Sequence, residues 1–195
     1  MKRLFIFAIL LTSSCGLFAQ LDRGNFRIGG TAAGFSTGKQ GKSIQKRDLY
    51  IGPTVAYFVI DRLSIGLTVP FSANKSTFPT ATSKSWSYSI GPEVRYYFPF
   101  NDWAVFPMVS YSAGKTQSKT LIDGNEPSES KSIGREFKTG TGITYFINSS
   151  VAIEAILSYT NSFYGSSSYN TDENRNRFFN MNFGLQIYLP GKTKE

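Results

Sequence analysis

Leu63-Ser64-Ile65-Gly66-Leu67-Thr68-Val69-Pro70-Phe71-Ser72 sets five large apolar side chains against five small or polar residues, position by position. Such strict alternation belongs to a strand with one apolar face. Upstream, Leu49, Ile51, Pro53, Val55, Tyr57 and Val59 alternate with Tyr50, Gly52, Thr54, Ala56 and Phe58. Only Ile60-Asp61-Arg62 separates the two runs, which reads as a tight hairpin. The same period recurs at Trp86–Phe98, Trp103–Ser112, Phe137–Ile147, Val151–Thr160 and Phe179–Leu189. A weaker run covers about Asn25–Ser36, and no segment beyond residue 19 has helical periodicity. Eight strands are therefore expected.

The connections carry a second pattern. Ile60-Asp61-Arg62, Pro99-Phe100-Asn101-Asp102 and Asn148-Ser149-Ser150 are short, whereas 37–47, 73–85, 115–134 and 164–177 read as long polar loops. Short and long connections alternate around an even number of strands, as in a transmembrane barrel with short turns on one rim. In hydrocarbon every backbone amide needs an internal partner, so a spanning sheet must close on itself. The expected fold is all-β, an eight-stranded antiparallel up-and-down transmembrane β-barrel.

Composition agrees. The chain has 195 residues, of which 17% are charged and 15% aromatic, with no His. Its mean hydropathy of −0.19 does not suit a bundle of membrane helices. The 17 Phe, 11 Tyr and 2 Trp gather toward strand ends. Tyr57, Phe58, Tyr96–Phe98, Phe100, Trp103, Tyr145 and Phe146 fall toward the short turns. Trp86, Tyr88, Tyr111, Tyr159, Phe178 and Phe179 fall toward the other rim. Two aromatic girdles are the expected reading, and core aromatics of a soluble β protein are the alternative.

Lys2-Arg3, the apolar run Leu4–Leu11 and Gly16-Leu17-Phe18-Ala19-Gln20 compose a secretory signal peptide. Cleavage after Ala19 is expected, so 1–19 is the leader, 20–195 the barrel and 190–195 a polar periplasmic tail. It removes Lys2 and Arg3, lowering the net charge from +8 to +6. A lipidated Cys15 is the alternative. Ile51-Gly52-Pro53-Thr54-Val55-Ala56-Tyr57-Phe58 is echoed by Ile90-Gly91-Pro92-Glu93-Val94-Arg95-Tyr96-Tyr97. These partial repeats fit hairpins of one barrel better than propeller blades. Pro53, Pro92 and Pro107 are unusual inside strands and tolerable there at bulges.

Five strand charges, Arg27, Glu93, Arg95, Lys138 and Glu154, share the face of small residues. With the apolar face toward lipid, they point into a lumen that eight strands make just wide enough for side chains to fill. Buried opposite charges must pair. The expected assembly is an ion-pair plug that fixes register, and a gate or proton path is the alternative.

Nearly the whole chain beyond residue 19 resembles the small eight-stranded outer-membrane β-barrels, the OmpA/OmpX-like porin-family barrels. The signal peptide, the eight alternating strands, the three short turns and the four long loops carry the likeness. It implies outer-membrane localisation, a monomer, and partners in outer-membrane lipid, lipopolysaccharide and the assembly machinery. Such barrels usually end on an aromatic residue, but here Tyr188-Leu189 is followed by Pro190-Gly191-Lys192-Thr193-Lys194-Glu195. The long connections hold a net +7 in cations such as Lys39, Lys42, Lys46, Arg47, Lys75 and Lys84, suited to lipopolysaccharide phosphates.

The lack of His excludes Ser-His acyl chemistry on lipids. There is no G-x-S-x-G elbow, P-loop, paired cysteine or metal-ligand cluster, and Glu126 and Glu129 read as a solvated turn. No enzymatic activity, cofactor, metal or nucleic-acid partner is expected. The role expected is structural or surface-interacting, with a filled lumen and an external ligand that the loops do not specify. A narrow passive channel and a soluble lipocalin-like ligand-binding barrel with an apolar lumen are the alternatives.

Overall fold

A computed structural model describes residues 20–40, 44–122, 128–166 and 174–191. The expected leader with Cys15 and the tail residues 192–195 lie outside the described residues. So do Lys42, Asp123, Glu126, Asp172, Glu173 and the side chains of Lys39 and Lys46.

Ten strands succeed one another: β1 (Phe26–Gln40), β2 (Ile44–Ile60), β3 (Leu63–Thr68), β4 (Phe71–Thr77), β5 (Ala81–Tyr96), β6 (Phe98–Phe100), β7 (Trp103–Ile122), β8 (Ser128–Phe146), β9 (Val151–Ser166) and β10 (Asn174–Leu189). They make eight staves. β3 and β4 keep one register against β2 up to Phe58 and another against β5, with a gap between them at Val69-Pro70. β5 and β6 continue one register along β7, interrupted at Tyr97. Every pairing is antiparallel, and β1 closes on β10 from Phe26 opposite Leu189 to Thr31 opposite Gly184. The expected eight-stranded up-and-down barrel is the fold observed.

Alternation settles which face is inside. Val55, Leu67, Ile90, Leu157 and Phe183 are each more than half exposed, while Thr54, Ser64, Glu93, Ser158 and Gln186 are buried. An apolar belt of this extent on the outer wall needs lipid against it. A lipocalin-like barrel requires the reverse arrangement.

Three expectations need correction. The polar runs read as long loops are mostly strand. β1 and β2 together take in 37–40 and 44–47, and only 78–80 lie between β4 and β5. β7 and β8 pair from Trp103 opposite Tyr145 up to Thr120 opposite Ser128. These extensions are polar on both faces, so they carry no period-two signal, yet the backbone ladder does not depend on one.

The prolines, second, do not sit at bulges. The two register shifts fall between Thr31 and Gly34 and between Phe58 and Ile60. Instead each proline turns its missing N–H toward a one-sided lapse in the ladder. The β5–β7 pairing omits Gly91 and Pro92, and the break at Tyr96-Tyr97 lies across from Pro107 and Phe106. At the β3–β4 break, Val69 N donates to Pro53 O at 2.9 Å and Ser89 N to Pro70 O at 3.0 Å. Carbonyls stay paired where donors are absent.

Third, only part of the aromatic set forms girdles. Tyr57, Tyr96, Phe98, Phe100 and Trp103 face outward near the short turns, and Trp86, Tyr88, Tyr111 and Phe179 do so at the other rim. Phe58, Tyr97 and Phe146 are buried inside instead. Phe178 shares the inward face of β10 with Asn180 and Asn182 and lines the lumen mouth. Adjacent aromatics on a strand point to opposite faces, so position near a rim does not decide orientation.

Candidate functional site

The lumen is layered. At the short-turn end, Phe58, Tyr97, Phe106, Phe146 and Tyr188 form a floor. Ring centroids are 5.7 Å apart for Phe58–Tyr97, 5.0 Å for Tyr97–Phe106 and 5.3 Å for Phe146–Tyr188. The repeated Gly-Pro motifs of β2 and β5 thus end on two rings of this floor. Beneath them the segment Gln20–Asn25 tucks into the mouth. Leu21 is buried, Arg62 N donates to Leu21 O at 2.7 Å, Gly24 N donates to Phe58 O at 2.9 Å, and Gln20 Nε2 donates to Asn148 O at 3.0 Å.

Above the floor lies a closed cycle of five side chains. Arg27 Nη2 donates to Glu93 Oε1 at 2.6 Å. Arg95 Nη2 donates to Glu93 Oε2 at 3.2 Å, and its Nε lies 2.8 Å from Glu93 Oε1. Arg95 Nη1 donates to Glu154 Oε2 at 2.8 Å. Gln186 Nε2 donates to Glu154 Oε1 at 2.7 Å, and Arg27 Nη1 returns to Gln186 Oε1 at 3.2 Å. Two arginines balance two glutamates, so the cycle is neutral. Arg95 also lies 4.7 Å over the Phe106 ring, joining cycle to floor. Each member is at most 5% exposed.

Neighbouring glycines make room for it. A Cβ on Gly29 would overlap the Gln186 amide, and one on Gly184 would crowd the Glu154 side chain and the Gly30 carbonyl. Long polar side chains from β1, β5, β9 and β10 meet at the axis because small residues flank them.

Of the five charges singled out from the sequence, Arg27, Glu93, Arg95 and Glu154 come together here. Lys138 does not join them. It lies one layer up, 3.1 Å from Glu136, which also accepts from Ser162 Oγ at 3.3 Å. Sequence reasoning missed Glu136 and Gln186. Glu136 stands two residues before Lys138 on the same face of β8, which was a usable signal. Gln186 carries no charge, and only its register opposite Gly29 marks it.

Between the cycle and the Lys138–Glu136 pair the free space is about 30 Å³, room for about two water molecules. Farther up, the lumen opens into a vestibule of about 450 Å³ lined by Tyr50, Ser72, Ser87, Thr116, Phe178 and Asn180 among others. Chemically the lumen offers hydroxyls, amides and paired charges. Among the described residues no group of three His, Cys, Asp or Glu side chains is placed to hold a metal ion.

Residues 5–187 match the outer membrane protein beta-barrel domain family. A major outer membrane protein from Thermus thermophilus superimposes with a TM-score of 0.56 at 10% identity, covering 85% of this chain and 98% of that one. Neisserial surface protein A gives a TM-score of 0.47 at 18% identity, over 84% and 95% of the two chains. The N-terminal barrel of Pseudomonas aeruginosa OprF gives 0.46 at 13% identity, over 86% and 98%. No curated protein matches the chain. With a family match over nearly its full length and an apolar outer wall around a polar lumen, the chain belongs to the outer membrane protein beta-barrel domain family and is an outer-membrane β-barrel.

Proposed function

We propose that the protein is a closed, non-catalytic barrel whose role is structural or surface-interacting, and that its lumen does not conduct. The observation that carries this reading is the neutral five-membered cycle seated on an aromatic floor. An ion crossing the barrel has to part Arg27 from Glu93 or Arg95 from Glu154. Breaking such buried pairs leaves uncompensated charge in a low-dielectric interior, at a cost of about 3–5 kcal/mol each. In this reading Arg27, Glu93, Arg95 and Glu154 hold the staves in register, with Lys138 and Glu136 as a second tie. The tall hairpins of β1–β2, β4–β5, β7–β8 and β9–β10 then present the external surface. Lipopolysaccharide is the natural counterion for their cations, and the assembly machinery inserts the barrel after cleavage at Ala19.

Purified barrel reconstituted in planar bilayers tests this. No stable conductance steps are expected from the native chain. Reproducible long-lived channels under the same conditions assign it instead as a narrow passive pore.

A further inference from the structure

Outside the lumen, four cations lie side by side on the outer wall. Arg47 of β2 is in register with Lys75 of β4, Lys75 with Lys84 of β5, and Lys84 with Lys119 of β7. All four share the outward face of Ile51, Phe71 and Tyr88. Like charges directly opposite one another weaken a sheet. Lys119 is relieved by Glu129 at 3.0 Å. Among the described residues, Arg47, Lys75 and Lys84 have no ion-pair partner within bonding distance.

One step toward the membrane, the same staves carry Leu49, Ala73 and Trp86, in register with one another. Together they enclose an outward-facing cleft of about 320 Å³ lined by Arg47, Leu49, Ala73, Lys75, Lys84 and Trp86 among others. Its floor is apolar and continues into the lipid-facing belt at the level of the upper girdle, where Trp86 is exposed. Its roof is the three cations Arg47, Lys75 and Lys84.

We propose that this cleft binds the phosphorylated glucosamine headgroup of lipopolysaccharide, with acyl chains running down over Leu49, Ala73 and Trp86. Three features select this occupant. Charge complementarity calls for more than one anionic group, because three cations from neighbouring staves stand in one row. Neighbouring staves are about 4.8 Å apart, so the three cations from Arg47 to Lys84 extend over about 10 Å, wider than a single phosphodiester and suited to phosphates carried on a sugar headgroup. The cleft also stands on the tall-hairpin rim, which faces the outer leaflet in barrels of this architecture. Arg supplies a bidentate phosphate clamp while the lysines act as point charges. The site rests on the outer-membrane placement of the barrel and deepens the lipopolysaccharide contact suggested above.

The test uses the refolded full barrel in detergent with Trp103→Phe, which leaves Trp86 as the reporter. Purified lipid A bisphosphate, the same lipid after phosphatase treatment, phosphatidylglycerol and inorganic phosphate are the probes. The bisphosphorylated lipid is expected to shift Trp86 emission to shorter wavelength and to bind at least tenfold more tightly than the dephosphorylated form. The Arg47→Gln/Lys75→Gln/Lys84→Gln variant is expected to lose that advantage while keeping its heat-modifiable gel mobility, which reports the barrel itself. Undiminished binding by the variant overturns the site. Equal binding of phosphatidylglycerol or of inorganic phosphate overturns the assigned headgroup. Loss of heat-modifiable mobility in the parent would instead count against the barrel's membrane state, which keeps the two failures distinct.

Discussion

Glu93 is the residue on which both arginines of the lumen converge, through Oε1 to Arg27 and through both oxygens to Arg95. Glu93→Gln keeps the shape and one acceptor oxygen but removes the negative charge on which both arginines converge, leaving the cycle with a net +1. A loss of about 3–5 kcal/mol is expected, read as a lower urea midpoint for unfolding in lipid vesicles. Lys138→Met is the contrasting change. Glu136 keeps Ser162 as a donor and opens onto the vestibule, so a loss of about 1 kcal/mol is expected in the same titration. Equal losses would sink the distinction between the two layers. The four arginine and glutamate members of the cycle were legible because an ionised side chain on a face of small residues has no other stable place. Their pairing was not legible. It depends on which staves lie across the axis from one another, and no local pattern encodes that.

At the level of elements, the three short turns were legible from Asp, Asn and Ser, and the structure shows why those residues are there. Arg62 and Asn101 adopt φ of 69° and 51°, the left-handed conformation that tight reversals demand. The third turn uses a side chain instead: Asn148 Oδ1 accepts from Ser150 N at 2.8 Å and Val151 N at 2.9 Å. Asn148→Ala is expected to lower stability by about 1 kcal/mol through these two donors, whereas the neighbouring exposed Ser149→Ala stays within about 0.5 kcal/mol. Thermal unfolding in detergent distinguishes them, and equal midpoints argue against the side-chain-made turn. The tall hairpins were not legible as strands. Segments such as Ser83-Lys84-Ser85 and Thr116-Gln117-Ser118 carry polar side chains on both faces, and periodicity detects a strand only where its two faces meet different surroundings.

For the molecule as a whole, the layered lumen and the belted exterior are two outcomes of one alternation. Odd positions of β9 such as Ile153 and Leu157 meet lipid, and even positions such as Glu154 and Ser158 fill the axis. The mean hydropathy near zero is the sum of these two faces. Family membership was legible for the same reason: eight alternations with alternating turn lengths admit few closed solutions in a membrane. The girdles were only half legible, since Phe58, Tyr97 and Phe146 went inward to form the floor. Conductance and lipid binding are both properties at this scale, one belonging to the axis and the other to the wall.

Asn25 and Gly191 stand together at the short-turn rim, where Gly191 N donates to the Asn25 side-chain oxygen at 2.9 Å, and β1 already pairs with β10 along the closing seam. The stretch from residue 25 to residue 191 is therefore nearly a circle, its two ends a short peptide apart. Where the chain is cut is separable from how the sheet is wound. A circular permutant joined by a brief Gly-Ser linker between residues 191 and 25, and opened at 78–80, is expected to regain the same heat-modifiable mobility. It lacks residues 20–24, so it loses the contribution of Leu21 beneath the floor. Failure of this permutant to fold, alongside success of one that keeps residues 20–24, would show that the small segment under the aromatic rings is the keystone and the seam merely its consequence.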